Sequence, residues 1–302
     1  MALTFLAKGD LIGVTAPAGK IKTESLTVAV SVLASWGLGI ELGKHIFSEA
    51  HGYFSGTDQE RLQDFQNMLD DPEIKAIICA RGGYGTTKFI DRLDFTNFLK
   101  FPKWIVGFSD ITALHLKLHC LGFESIHSVM PIQFSKPEHK ESVESVRRIL
   151  FGETVYLEAK ASESNRLGTA TGQVVGGNLT LLADSLGTAN DIDSKGKILI
   201  IEEVGEYKYK LDRMFTHLKR ANKLSQLAGL IIGHMTDIND AEGSFGQTVE
   251  EIVLDKVKEF NYPVAFNFPI GHEAPNLAWR HGATGTLNVS NEISQLTFAT
   301  LT

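Results

Sequence analysis

The sequence predicts an α/β protein built as two successive units, and three observations carry that reading. Through the first half, short apolar runs alternate with amphipathic helical segments, the signature of a parallel sheet covered by helices. A polar stretch then interrupts the pattern, and the pattern restarts after it. Finally, residues able to do chemistry recur at the ends of apolar runs, where open α/β sheets bind their ligands. The expected division is residues 1–135 for the first domain, 136–166 for the connection and 167–302 for the second domain.

The first strand is Leu11-Ile12-Gly13-Val14-Thr15, and Ala16-Pro17-Ala18-Gly19 is the loop at its carboxyl end. Residues 24–36 read as a helix. Residues 58–70 do too, with Leu62, Phe65 and Leu69 on one face. Ala76–Cys79 is a short buried strand that runs into Arg81-Gly82-Gly83-Tyr84-Gly85, a second glycine-rich loop. Trp104–Val106 and Ser125–His127 are further strands. In the second half a helical run opens at Gly176-Gly177-Asn178-Leu179, and Ile198–Ile201 is a buried strand ending at Glu202. Leu211, Met214, Phe215 and Leu218 form a helical face, followed by a strand in Gly229–Gly233, a helix over 247–258 and a last strand, Val264–Phe268, before Gly271-His272.

Composition narrows the function classes. The 302 residues are 43% hydrophobic and 22% charged, a globular balance with no sign of disorder. Lys plus Arg number 29 against 36 Asp plus Glu, a net charge of −7, which argues against nucleic acid or an anionic membrane as partner and favours a small molecule or peptide. Cys79 and Cys120 both sit among apolar residues and read as core thiols of a reducing compartment. The first ten residues hold no basic segment followed by a long apolar stretch, and no window is apolar enough to span a bilayer, so a cytoplasmic chain is expected.

The segment Trp104-Ile105-Val106-Gly107-Phe108-Ser109-Asp110-Ile111-Thr112 holds the densest chemical signal. A β-branched run bends at Gly107, and Ile111, Leu114, Leu118 and Leu121 then recur at helical spacing, so the period changes at Ser109. At such a corner the first N–H groups of the helix lack intrahelical partners and can bind an oxyanion. Ser109 is also a favoured helix cap, and Asp110 suits a first turn. A serine nucleophile needs a base and the base an orienting carboxylate. The predicted strand ends supply His272 and Glu202, with His127 and the nearby carboxylates Glu203, Glu206 and Asp212 left open as alternatives. The N–H groups of Gly83 and Asp110 are candidate oxyanion donors, each worth about 3 kcal/mol at the transition state in such sites.

Other patterns are weaker. His115 and His119 lie one helical turn apart, but no third ligand accompanies them, so they read as a surface pair and no metal site is expected. Gly107-Phe108-Ser109-Asp110-Ile111 is similar to a nucleophile elbow whose second glycine has become Ile111. Arg81, Tyr84 and Asn178 lie beside the loops and are candidate substrate contacts; Arg81 and Arg280 are candidates to bind a substrate carboxylate.

Taken in order along the chain, Gly9-Asp10 with Ile12–Ala18, Gly56-Thr57-Asp58 with Arg61, Asp71–Ile78, Arg81–Gly85 and Gly107–Thr112 resemble the LD-carboxypeptidases, also called muramoyltetrapeptide carboxypeptidases. The resemblance continues through Gly176–Leu179, Glu202-Glu203-Val204, Tyr209 with Asp212-Arg213-Met214, and Gly271-His272. It implies a flavodoxin-like N-terminal domain, a C-terminal α/β domain and an active site between them. It further implies a Ser109, Glu202, His272 triad, backbone oxyanion donors at Gly83 and Asp110, no metal or other cofactor, and a homodimer. The implied reaction is cytoplasmic release of terminal D-Ala from murein tetrapeptides during peptidoglycan recycling. His127-Ser128-Val129 departs from the family's His-Gly-Pro, which puts that wall of the pocket in question. A related microcin-type immunity peptidase, cleaving a peptidyl or aminoacyl nucleotide, is the alternative. It would need an exposed aromatic platform, and of Trp36, Trp104 and Trp279 only Trp279 lies near the histidine loop in sequence.

Overall fold

A computed structural model of the chain describes residues 3–241 and 243–299. The chain forms two compact units, Met1–Glu153 with Leu277–Trp279, and Thr154–Asn276 with Arg280–Thr302.

The first unit is a parallel sheet of β1 (Leu11–Thr15), β2 (Gly39–Leu42), β3 (Ile74–Cys79), β4 (Trp104–Gly107) and β5 (Ser125–His127). The order is β2-β1-β3-β4-β5, with the strand that contains Trp279 beside β5. All four pairings within β1–β5 are parallel, and this is the doubly wound order of flavodoxin-like sheets. Ile12, Val14, Ile77, Ile78, Ile105, Val106 and Ile126 are fully buried, as expected for strands covered on both faces. The helices are α1 (Thr23–Ser35), α2 (Asp58–Asp70), α3 (Thr96–Lys100), α4 (Thr112–Cys120) and α5 (Lys140–Leu150). A capping box at Thr57 and Glu60 starts α2, and Phe65 and Leu69 are buried on its inner face. The strand order reverses between β1 and β3, so the loops after these two strands border the crevice where such sheets bind ligands.

The second unit holds β6 (Leu157–Lys160), β7 (Gly168–Asn178), β8 (Ile198–Val204), β9 (Gly229–Thr236), β10 (Val264–Ala265), β12 (Thr284–Val289) and β13 (Ile293–Phe298), β11 being Trp279–His281 of the first sheet. Its sheet runs β10-β9-β8-β7-β12-β13-β6. One half, β10 to β7, is parallel; the other, β7 to β6, is antiparallel. The long β7 joins the halves: residues 168–173 pair with β12 and residues 174–178 with β8. Helices α6 (Leu179–Asp184), α7 (Lys208–Arg220) and α8 (Val249–Val257) complete the unit.

Four expectations change. Residues 136–166 are not a single connecting segment. Helix α5 packs Val146, Ile149 and Leu150 into the first unit, and Ser145 Oγ accepts the Ala278 N–H at 2.8 Å, while Leu157–Lys160 is an edge strand on β13. Part of the segment's polarity is the exposed faces of these two elements, and the rest lies in the turns around them. The strand expected over 264–268 is only two residues long, because Asn267 adopts φ +63° and turns the backbone out of the extended conformation. Cys120 is exposed at the end of α4, whereas Cys79 is buried. His115 is fully buried rather than at the surface.

Candidate active site

Gly107 closes β4, Ser109–Ile111 forms one tight 3-10 turn, and α4 follows directly. Ser109 sits at φ +63°, a left-handed conformation that costs a non-glycine residue about 1–3 kcal/mol and marks strained functional corners. The sharp turn is that of a nucleophile elbow. It also explains the missing second glycine. A Cβ at Gly107 would stand 2.9 Å from Ile111 Cγ1 and 3.2 Å from Cys79 Cβ, so the first glycine makes room for the isoleucine. The Ile111 N–H is the first to bond back into the turn, to Phe108 O at 3.2 Å, so the Asp110 N–H precedes the ladder at the dipole's positive end.

His115 braces this corner from below. Its Nε2 lies 2.9 Å from Gly107 O and its Nδ1 2.8 Å from Ser125 Oγ. Since a carbonyl only accepts, Nε2 carries the proton and Nδ1 accepts from the serine hydroxyl. Burial pushes the imidazole pKa down to about 4, so the ring is neutral near pH 7. Replacing His115 by leucine strands the buried Ser125 hydroxyl and removes one of two donors to Gly107 O, which keeps the Ser128 N–H at 3.0 Å. It is expected to destabilise the protein by about 2–3 kcal/mol in urea titrations, with a loss under 0.5 kcal/mol counting against this role.

The loop after β3 faces the same corner. A Cβ on Gly82 would stand 3.1 Å from Ser109 Cβ and 3.3 Å from its Oγ, so any larger residue here would press on the serine side chain. Gly83 adopts φ +113°, and the Tyr53 hydroxyl lies 2.9 Å from where its Cβ would be. The Gly19 N–H donates to Gly82 O at 3.0 Å, tying the loop after β1 to the loop after β3. Arg61 passes beneath both loops. Its guanidinium donates to Pro17 O at 2.5 Å and Gly85 O at 2.9 Å and pairs with Asp58, with the Phe54 ring 4.5 Å away. Sequence reasoning noted Arg61 only as part of a motif; a buried cation lacks a local sequence signal.

Arg81 lines a cavity of about 540 Å³ with Lys20, Lys22, Glu24, Phe47 and Tyr53, and donates to Lys20 O at 2.6 Å. Tyr84 is exposed, its ring 5.7 Å from Phe54. His127 is buried, stacked on Trp279 at 5.1 Å, and both rings are closed to solvent.

In the second unit, β8 carries Glu202 and Glu203 to opposite faces, as strand alternation requires. Glu202 Oε2 is 2.7 Å from His272 Nδ1, and the carboxylate is fully buried. Glu203 is occupied elsewhere: it accepts from Asn178 Nδ2, from the Thr180 N–H and hydroxyl, and from the Val204 N–H. Geometry therefore gives the histidine to Glu202. Asn178 also caps α6 by accepting the Leu181 N–H, so its amide holds the helix start and Glu203 together.

Two backbone features bring the pair together. Ile201 pairs with Ile232 and Glu203 with Met235, so β9 carries one extra residue opposite Glu202, a bulge of the kind that re-aims side chains. Gly271 has φ +132°, and a Cβ there would stand 3.1 Å from Glu202 Oε2 and 3.0 Å from His234 Cβ. His234, which sequence reasoning missed, accepts the Glu273 N–H on Nδ1 at 3.3 Å and so helps hold the His272 loop. Burial lowers the His272 pKa, but the Glu202 hydrogen bond and the charges of Glu202 and Glu203 outweigh it, and the imidazole ends above its ordinary value.

Arg280 donates to Ala299 O at 2.9 Å and is largely buried. Among the described residues no group of three or more His, Cys, Asp or Glu could hold a metal ion, and no helix is long and apolar enough to cross a membrane.

A flavodoxin-like sheet with a strained serine at a strand end, and a second unit with a buried carboxylate–imidazole pair, are the marks of this two-unit α/β protein. The LD-carboxypeptidase N-terminal domain matches residues 12–128 and the LD-carboxypeptidase C-terminal domain residues 171–287. The chain is 35% identical over 292 residues to a probable murein peptide carboxypeptidase of Bacillus subtilis, covering 95% of this chain and 91% of that one. It is 31% identical to the murein tetrapeptide carboxypeptidase of Pseudomonas aeruginosa (91% and 92% covered) and 26% identical to the microcin C7 self-immunity protein MccF of Escherichia coli (97% and 94%). The crystal structure of a muramoyltetrapeptide carboxypeptidase from Oxalobacter formigenes superposes with a TM-score of 0.87 at 25% identity, over 96% of this chain and 98% of that one. The chain belongs to the LD-carboxypeptidase family.

Proposed function

We propose that this protein is a serine-type LD-carboxypeptidase that releases terminal D-Ala from murein tetrapeptides, hydrolysing the bond between the L-centre of a diamino acid and D-Ala. The observation that carries the reading is Ser109 held at φ +63° on a strand-to-helix corner in a chain of this family. In this mechanism Ser109 Oγ attacks the scissile carbonyl while His272 Nε2 takes its proton. Glu202 keeps the imidazole in the tautomer with hydrogen on Nδ1 and stabilises its charged form. The carbonyl oxygen becomes an oxyanion facing the N–H groups of Gly83 and Asp110. Collapse of the tetrahedral intermediate breaks the C–N bond, and His272 returns the proton to the leaving D-Ala amine. Water, deprotonated by His272, then hydrolyses the acyl-enzyme and restores Ser109. Arg81 and Tyr84, beside Gly82 and Gly83, are assigned to the substrate; the cavity that Arg81 lines carries both cations (Lys20, Lys22) and carboxylates (Glu24, Glu49).

The tryptophans bear on the alternative substrate. Stacking a nucleobase needs an open aromatic face, yet Trp104 and Trp279 are fully buried and Trp36 packs on Phe134 at 6.2 Å beyond the end of α1. The tryptophans thus offer no platform, whereas Tyr53 and Tyr84 are exposed, so the aromatic residues leave the choice of substrate to the assay. The test is a coupled assay of D-Ala release from L-Ala-γ-D-Glu-meso-diaminopimelate-D-Ala beside cleavage of an aminoacyl-sulfamoyl adenosine. D-Ala release with the nucleotide untouched is the expected result. Cleavage of the nucleotide alone, or of neither, overturns the proposal.

A further inference from the structure

The side chain of Asp110 does more than suit a helix start. It is 1% exposed, and its Oδ2 accepts the Thr86 N–H at 2.9 Å, with the Gly85 N–H as a second donor. These donors close the glycine loop that contains Gly82 and Gly83. One residue thus lies at both ends of the proposed oxyanion site: its own N–H at the serine corner, and its carboxylate gripping the loop that carries the other donor. Arg61, also 1% exposed, holds the far side of that loop through Gly85 O and fixes it to Pro17 O of the neighbouring loop. At Gly85 (φ +133°) a Cβ would stand 2.7 Å from Arg61 Nη1, so the grip leaves no slack.

We propose that the Asp110 carboxylate is a positioning group, which with Arg61 sets the distance between the Gly83 and Asp110 N–H groups to that of a developing oxyanion. Burial raises the Asp110 carboxyl pKa, opposed by the hydrogen bonds from Thr86 and Gly85 and by the charge of Arg61. A carboxylate kept buried against that cost needs donors, and here they are the N–H groups of the glycine loop. Oxyanion donors act through pre-set geometry, so loosening the loop weakens the transition state while leaving ground-state binding intact.

The inference rests on Ser109 being the nucleophile, and the experiment separates the two. The burst of p-nitrophenol from p-nitrophenyl acetate reads Ser109 acylation whatever the natural substrate. If Ser109→Ala keeps the wild-type burst, the reading of Ser109 falls; if it abolishes the burst, the Asp110 variants are decisive. Asp110→Ala is expected to lower kcat on the tetrapeptide and the acylation rate by about 100-fold with KM within about twofold, and to weaken a phosphonate transition-state analogue in parallel. Asp110→Asn keeps an acceptor for the Thr86 N–H and is expected to stay within about tenfold of wild type. A lowered melting temperature with kcat per folded molecule unchanged overturns the proposal, as does an asparagine variant as impaired as the alanine. Should Asp110→Ala not accumulate folded, Asp110→Ser carries the same comparison.

Discussion

Ser109→Ala is expected to cut D-Ala release from the tetrapeptide by about 10⁴- to 10⁶-fold, the loss that follows removal of a serine nucleophile acting in a triad. Ser109→Gly is expected to be equally inactive yet more stable than wild type by about 1 kcal/mol, because glycine occupies φ +63° without the steric cost a Cβ brings. The pair of variants separates chemistry from strain: both lose turnover, and only glycine gains stability. Turnover by Ser109→Ala within tenfold of wild type would remove the serine from the mechanism. A glycine variant less stable than wild type would mean that the corner stores no strain.

The second large effect concerns Glu202. His272 must be neutral to take the serine proton, and its pKa lies above the ordinary 6.5, so kcat/KM is expected to rise with pH through a limb above 6.5. Glu202→Gln removes the hydrogen bond to a charged acceptor and the larger of the two nearby negative charges. Burial then prevails, the imidazole pKa falls, and the acid limb moves to lower pH. Plateau activity is expected to drop by about 10³- to 10⁴-fold, since a glutamine no longer holds the reactive tautomer or stabilises the imidazolium. A pH profile from 5 to 9 checks the direction: a limb that stays put or moves upward would show that Glu202 does not govern His272. Glu203→Gln is the comparison: its charge contributes less to the raised His272 pKa, so the limb should move down by less than in Glu202→Gln, while the loss of the bonds from Asn178, Thr180 and Val204 should fall on stability.

Much of this was legible in the sequence. Strand β1 and helix α2 lie where the pattern places them, because a β-branched run and a capping box are both local signals. The corner at Gly107–Thr112 shows in the change of period at Ser109. Strand β2 escaped notice because its residues are half-buried or exposed at a sheet edge and so carry no alternation. The antiparallel strands β12 and β13 escaped for another reason: Leu287, Val289, Ser294 and Leu296 do alternate inward, but the expectation of a parallel sheet drew attention to continuous apolar runs instead. His115 and His119 share a helical spacing, yet His115 is buried beneath β4 and β5, a fact that depends on strands that flank its own helix.

What the sequence determines by itself is therefore the α/β class, the strand-to-helix serine corner, the glycine loops and the set of residues able to do chemistry. Each is written within about ten residues, in hydrophobic period, caps and glycines. Spacing left Glu202 and Glu203 open and the family resemblance implied Glu202; the tertiary structure supplies the physical reason that Glu202 holds His272, since the two are adjacent and a strand's alternation and a bulge on its neighbour choose between them. It also decided that Asn178 serves Glu203 and a helix start, that Trp279 is buried, and that Asp110 reaches the loop carrying Gly83. The bonds of Asp110 to Thr86, Asn178 to Glu203 and Glu202 to His272 span from 24 to 70 residues of chain, and a side chain's partner across that distance is set by register and packing, which no local pattern encodes.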